Sequence, residues 1–141
     1  MKDGVSVNSK QLFVYSLTKN GALEDYPFGP DVIVMKVAGK MFALMARRAG
    51  QDYISLKCDP DYAEILRQQY ESITPGYHLN KRHWNTVQLD GSIPEQEVRE
   101  FIDHSYELVV KSLTREKRDM LVLANVSQVR FSVQGVGSPG N

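Results

Sequence analysis

Three strand-forming segments follow one another between Val32 and Lys57, separated only by short turns, and this spacing restricts the fold more than any other feature. Val32 to Val37 is rich in β-branched residues, Ala38-Gly39 is a turn signal, and Met41 to Ala46 is the returning strand. Arg47 to Gln51 reads as a second, polar turn. Over Asp52 to Lys57, Tyr53, Ser55 and Lys57 alternate with Ile54 and Leu56. Parallel neighbours need a crossover of about a dozen residues or more, so these segments must pair as an antiparallel meander.

Helical patterns flank the meander. Asn8 to Lys19 places Leu12, Phe13 and Leu17 on one face with Ser16 between them; Asn8 or Ser9 caps it and Asn20-Gly21 ends it. Glu24 to Asp31 holds two prolines and a glycine and reads as a loop. Asp59 and Pro60 start a helix to Tyr70, with Tyr62, Ile65, Leu66 and Tyr70 toward one side. Ile73 to Asn80 contains Pro75-Gly76 and reads as a loop, and His83 to Leu89 is a fourth strand. Ser92 and Glu95 have capping-box spacing ahead of the long helix Pro94 to Leu113. Val98, Phe101, Ile102, Tyr106, Val109 and Leu113 form its apolar stripe, and Thr114 caps a short helix to about Leu123. This order predicts an α+β fold, an antiparallel sheet of a three-strand meander plus a fourth strand packed with helices. Residues 1–123 form the expected single domain. Residues 124–141 form an extension, with a strand expected over Val126 to Val133 and disorder over Gly135 to Asn141.

At 141 residues one apolar core suffices without metals or disulfides. Seventeen basic and seventeen acidic side chains cancel, which disfavours broad wrapping by nucleic acid and leaves room for a local basic patch. A single cysteine, Cys58, excludes an internal disulfide. With no secretion signal and no apolar run of bilayer length, a cytoplasmic protein without a membrane partner is expected.

The blocks Glu24-Asp25-Tyr26-Pro27-Phe28-Gly29-Pro30, Gly39-Lys40-Met41-Phe42-Ala43, Leu56-Lys57-Cys58-Asp59-Pro60 and Leu66-Arg67 resemble the MmcQ/YjbR family. The densest match is Ile73 to Val87, and Leu89-Asp90-Gly91 and Ser105-Tyr106 complete it, so that the similarity spans about Ser9 to Arg118. The resemblance implies a frataxin-like (CyaY-like) fold with a double-wing arrangement of hairpins and a proposed DNA-binding role. It carries over no catalytic residue. Frataxins bind iron with an acidic first helix, whereas Asn8 to Lys19 contains no Asp or Glu, which counts against iron.

Candidate binding residues concentrate in Tyr77 to Thr86. Lys81 and Arg82 suit phosphates, Tyr77, His78 and Trp84 suit stacking, and Asn80 and Asn85 suit a base edge or a ligand amide. A structural reading competes, in which Trp84 is core and Asn80 and His78 satisfy loop backbone. Arg47-Arg48 marks a basic hairpin tip, and Lys36 and Lys40 flank the first turn, as edge-blunting lysines or as further cations. Lys111, Arg115, Lys117 and Arg118 read as a solvated helix surface. Cys58 lacks a CxxC partner and His78, His83 and His104 lack zinc spacing, so no metal, cofactor or catalytic residue is expected. The absence of Walker, Rossmann and nucleophile-elbow signatures leans against an enzyme. Two readings lead, and an enzyme using Cys58 or His78 comes last. One is a DNA-binding module using basic hairpin tips and the Gly76 to Trp84 loop. The other is a small-ligand or protein-binding domain with a pocket near His78, Asn80 and Trp84.

Overall fold

A computed structural model describes residues 8–125. Its strands are β1 (Ala22–Asp25), β2 (Ile33–Val37), β3 (Lys40–Arg48), β4 (Gln51–Lys57), β5 (Ile73–Pro75) and β6 (Trp84–Gln88). They form one antiparallel sheet in the order β1-β2-β3-β4-β6-β5. The helices are α1 (Ser9–Leu17), α2 (Pro60–Gln69) and α3 (Glu95–Lys111), and residues 115–125 add α4. This is the expected α+β class, with the meander at the centre of the sheet and the fourth strand beside it. No helix among the described residues is long and apolar enough to cross a membrane.

Both sheet edges differ from expectation. Ala22–Asp25 pairs with β2, although Glu24 and Asp25 read as loop, and Ile73–Pro75 pairs with β6. Pro75 is tolerated because β5 is the outermost strand, where a missing donor costs no ladder bond. The second turn is also tighter than expected: Arg47, Arg48 and Gln51 belong to strands.

Two of the expected caps form as drawn. The Asn8 carboxamide accepts the N–H groups of Lys10 and Gln11, and the Asp59 carboxylate accepts that of Tyr62. The capping box does not form. Helix α3 begins at Glu95, two residues later than a box from Ser92 requires, and the Ser92 hydroxyl bonds Asp90 and Ser72 instead. Helix α2 packs on Ala63 and Leu66, leaving Tyr62 and Ile65 exposed. The strand expected over Val126 to Val133 and the tail lie outside the described residues.

The main core gathers residues of α1, α2 and α3 against one face of the sheet, including Leu12, Leu66, Ile102, Ile54 and Phe42. Phe42 marks a bulge. Met35 pairs with Ala43 and Lys36 with Met41, so Phe42 has no partner in that register. Its carbonyl accepts instead from the hydroxyl of Ser105 on α3 at 2.6 Å, and that Ser105 Oγ in turn accepts the Lys57 N–H at 2.9 Å. Ser105 is fully buried, so Ser105→Ala would strand two backbone groups. The expected loss is about 2–3 kcal/mol in urea unfolding, seen as a lower midpoint at unchanged slope.

A smaller cluster of Val34, Leu44 and Tyr53 lies on the other face and receives Tyr77. Among the described residues, no helix contributes to it. The segment between β5 and β6 folds over this face, which explains why Ser55 and Thr86 are buried there and why the Tyr53/Ser55 side of β4 is not solvent-facing. The Tyr77 N–H donates to Thr86 Oγ1 at 2.8 Å, and that oxygen shares a second hydrogen bond with Ser55 Oγ, also at 2.8 Å.

Candidate functional site

The hairpin joining β3 and β4 turns on two left-handed residues, Ala49 (φ 52°) and Gly50 (φ 79°). A two-residue turn keeps Arg47 and Arg48 in the ladder, opposite Asp52 and Gln51. Strand alternation then sends their side chains to opposite faces. Arg47 joins Asp52 at 2.6 Å on the helix side, where Asp52 also receives the Ser9 hydroxyl. Arg48 reaches the other face, with its guanidinium carbon 3.9 Å from the Tyr77 ring centroid. Tyr77 in turn meets Tyr53 edge-on at 6.1 Å and His78 at 4.1 Å.

The loop carrying Tyr77 is held from within and from α2. Gly76 N–H donates to the Trp84 carbonyl at 2.8 Å. Asn80 Oδ1 accepts the N–H groups of Arg82 and His83 at 2.9 and 3.0 Å. Arg67 donates from Nε to Asn85 Oδ1 at 2.7 Å, and its Nη2 donates to the carbonyls of Lys81 and Trp84. Lys81 Nζ bonds the Gly76 carbonyl at 2.7 Å, which ties its ammonium to the inner side of the loop.

Between the hairpin tip and this loop lies an open cleft of about 660 Å³. Arg48, Tyr53, Thr74, Tyr77, Lys81 and Gln88 are among its lining residues. Among the described residues two cations line it and no carboxylate does. Burial raises the Tyr53 phenol above its ordinary pKa, with Tyr77 adding to the effect and the Arg48 charge opposing it.

Of the residues singled out in the sequence, Arg48, Tyr77 and Lys81 meet at this cleft, with His78 against Tyr77. The others do not join them. Lys36 pairs with Asp25 at 2.8 Å, and Arg47 with Asp52. Lys40 opens the nine-residue strand that Arg48 closes, which puts roughly 27 Å between them at the rise of an antiparallel strand. Its ammonium lies 3.4 Å from the Ser112 hydroxyl. Asn80 Oδ1 accepts loop N–H groups, Arg82 is exposed on the loop, and Trp84 is half-buried rather than core. Arg118 caps α3 by donating to the carbonyls of Lys111 and Leu113. Tyr53, Thr74, Gln88 and the clamp Arg67 went unnoticed as site residues. Arg67 stood in a family block, and the Tyr53 alternation pointed to the correct face, but neither says what a folded loop will lay over them.

Cys58 is 4% exposed, and burial pushes its thiol up to about 11. Native Cys58 is therefore expected to alkylate with iodoacetamide at pH 8 about a hundredfold more slowly than in the denatured chain, because only the exposed thiolate reacts. His104 Nε2 accepts the Asp59 N–H at 3.2 Å. No group of three metal-ligating side chains occurs among the described residues.

The sequence model of the YjbR family matches residues 17–108. The uncharacterized protein YjbR of Escherichia coli K12 is 38% identical over 112 residues, covering 79% of this chain and 95% of that protein. The uncharacterized protein YbdF of Escherichia coli O157:H7 is 44% identical over 94 residues, covering 67% and 75%. A crystal structure of a Deinococcus radiodurans protein with a DUF419 domain superposes with a TM-score of 0.75 at 36% identity, covering 86% and 91%. A Pseudomonas syringae protein follows at 0.64 and 30%, covering 72% and 98%. The matched stretch contains the whole sheet, the hairpin tip with Arg48 and the Arg67-clamped loop, and on that agreement of sequence and fold the chain belongs to the YjbR family.

Proposed function

We propose that the protein is a binding module that takes a small anionic ligand, a carboxylate or phosphate compound, in the cleft between the β3–β4 tip and the loop from Gly76 to His83. The observation that carries this reading is the lining: Arg48 and Lys81 and, among the described residues, no carboxylate, in a space of about 660 Å³. Small-molecule sites typically enclose about 300–1,000 Å³ with a few convergent polar groups. Duplex DNA is the weaker reading. Its candidate cations lie at both ends of β3 and on both faces of the sheet, and Lys36 and Arg47 are already neutralised.

Isothermal titration with inorganic phosphate, citrate and a short DNA duplex, at low and near-physiological salt, separates the two. Saturable binding of a small anion, weakened about tenfold in Lys81→Gln, is the expected result, since a charge-assisted contact contributes about 1.5–3 kcal/mol. Duplex binding that depends on Lys36, Lys40 and Arg47 instead would replace this reading, as would no saturable binding of either small anion.

A further inference from the structure

We infer that Arg48 is the specificity-determining residue of the cleft and that it reads the paired oxygens of a carboxylate or phosphate group. The inference rests on the anion-binding reading above and deepens it. A guanidinium carries its N–H donors in its own plane. The Arg48 guanidinium carbon sits 3.9 Å over the Tyr77 ring centroid, a distance that suits stacking of the two planes, and a stacked guanidinium keeps its donor fork at the edge. Among the described residues no acceptor engages that fork. Arg47, one residue earlier on the same tip, differs in this respect because its Nη1 is paired with Asp52 Oδ1.

The platform beneath Arg48 is fixed before any ligand arrives. Tyr77 is held by its N–H on Thr86, by the edge of Tyr53 and by His78. Fixing one face of a guanidinium removes most of its rotational freedom, so less is lost when two parallel N–H···O bonds form. Lys81 plays a different part. Its ammonium gives one donor to Gly76 and keeps the rest, a compact charge that favours any anion without selecting its shape. The same stack bears on what the ligand presents: Arg48 and His78 both lie against the Tyr77 ring, so the recognised group is an oxyanion rather than a base stacked on Tyr77.

The test compares Arg48→Lys, Arg48→Ala and Lys81→Gln in calorimetric titrations with inorganic phosphate, acetate and chloride, after confirming an unchanged thermal midpoint for each. Phosphate and acetate distinguish the two sources of paired oxygens, and chloride has none. Arg48→Lys is expected to lose about tenfold in affinity for the preferred oxyanion, as much as Arg48→Ala, and to lose the preference over chloride. If Arg48→Lys binds like the wild type while Lys81→Gln is weakened, charge alone is read and the inference is overturned with the cleft intact. If neither Arg48→Ala nor Lys81→Gln changes binding, the cleft is not the site and both readings fall together.

Discussion

Gly76→Ala is expected to cost the domain roughly 3 kcal/mol, about 1–3 from overpacking and about 1 from a weakened hydrogen bond. A Cβ on Gly76 would lie 2.7 Å from the Trp84 Cβ and 3.1 Å from both the Leu79 Cβ and the Trp84 carbonyl oxygen. These are stems and backbone rather than the mobile ends of side chains. Trp84 cannot retreat, because it opens β6 opposite Lys57 and its carbonyl accepts the Gly76 N–H. The loop must therefore shift and take Tyr77 and Lys81 with it. A thermal midpoint lowered by about 10 °C is expected. A variant melting within about 2 °C of the wild type would show that the loop yields freely.

Arg67→Met is expected to be almost as damaging. One guanidinium satisfies Asn85 Oδ1 and the carbonyls of Lys81 and Trp84, and Asn85 is only 3% exposed. Methionine keeps the stem packing and strands those acceptors, at a cost of about 3 kcal/mol. Lysine restores the charge but cannot span three acceptors from one nitrogen, so Arg67→Lys should recover less than half of that loss. Urea unfolding of the pair measures both. Because the clamp holds the loop that carries Tyr77 and Lys81 into the cleft, both variants should also bind anions more weakly. A wild-type unfolding midpoint for Arg67→Met would mean that the loop is anchored elsewhere.

The strong periodic elements were legible in the sequence for a physical reason: α3 buries Val98, Phe101, Ile102 and Val109 along one stripe, and the central strands are joined by turns too short for crossovers. Strands β1 and β5 were not legible. At four and three residues they have no period to read, and Pro75 and Asp25 argue locally for loop. Tertiary pairing at the sheet edges overrides that local signal. The site was half legible. Tyr77, Lys81 and Arg48 stood out by type, but a one-residue difference on β3 separates the ion-paired Arg47 from the stacked Arg48. Which of the two faces the cleft depends on whether the turn has two residues or five. For Asn80 and Trp84 the sequence left a ligand and a framework reading side by side; Asn80 Oδ1 accepts two loop N–H groups and the Trp84 carbonyl accepts that of Gly76, since a loop folded across a sheet needs its own backbone satisfied first.

A ¹⁵N-resolved NMR titration with inorganic phosphate locates the anion site. With the anion in the cleft, saturable shifts are expected to be confined to Arg48, Ala49, Tyr77, Lys81, Thr86 and Gln88, with Lys36, Lys40 and Arg47 unmoved. Shifts centred on Lys40 and Ser112, or spread over every surface lysine without saturation, would contradict that location.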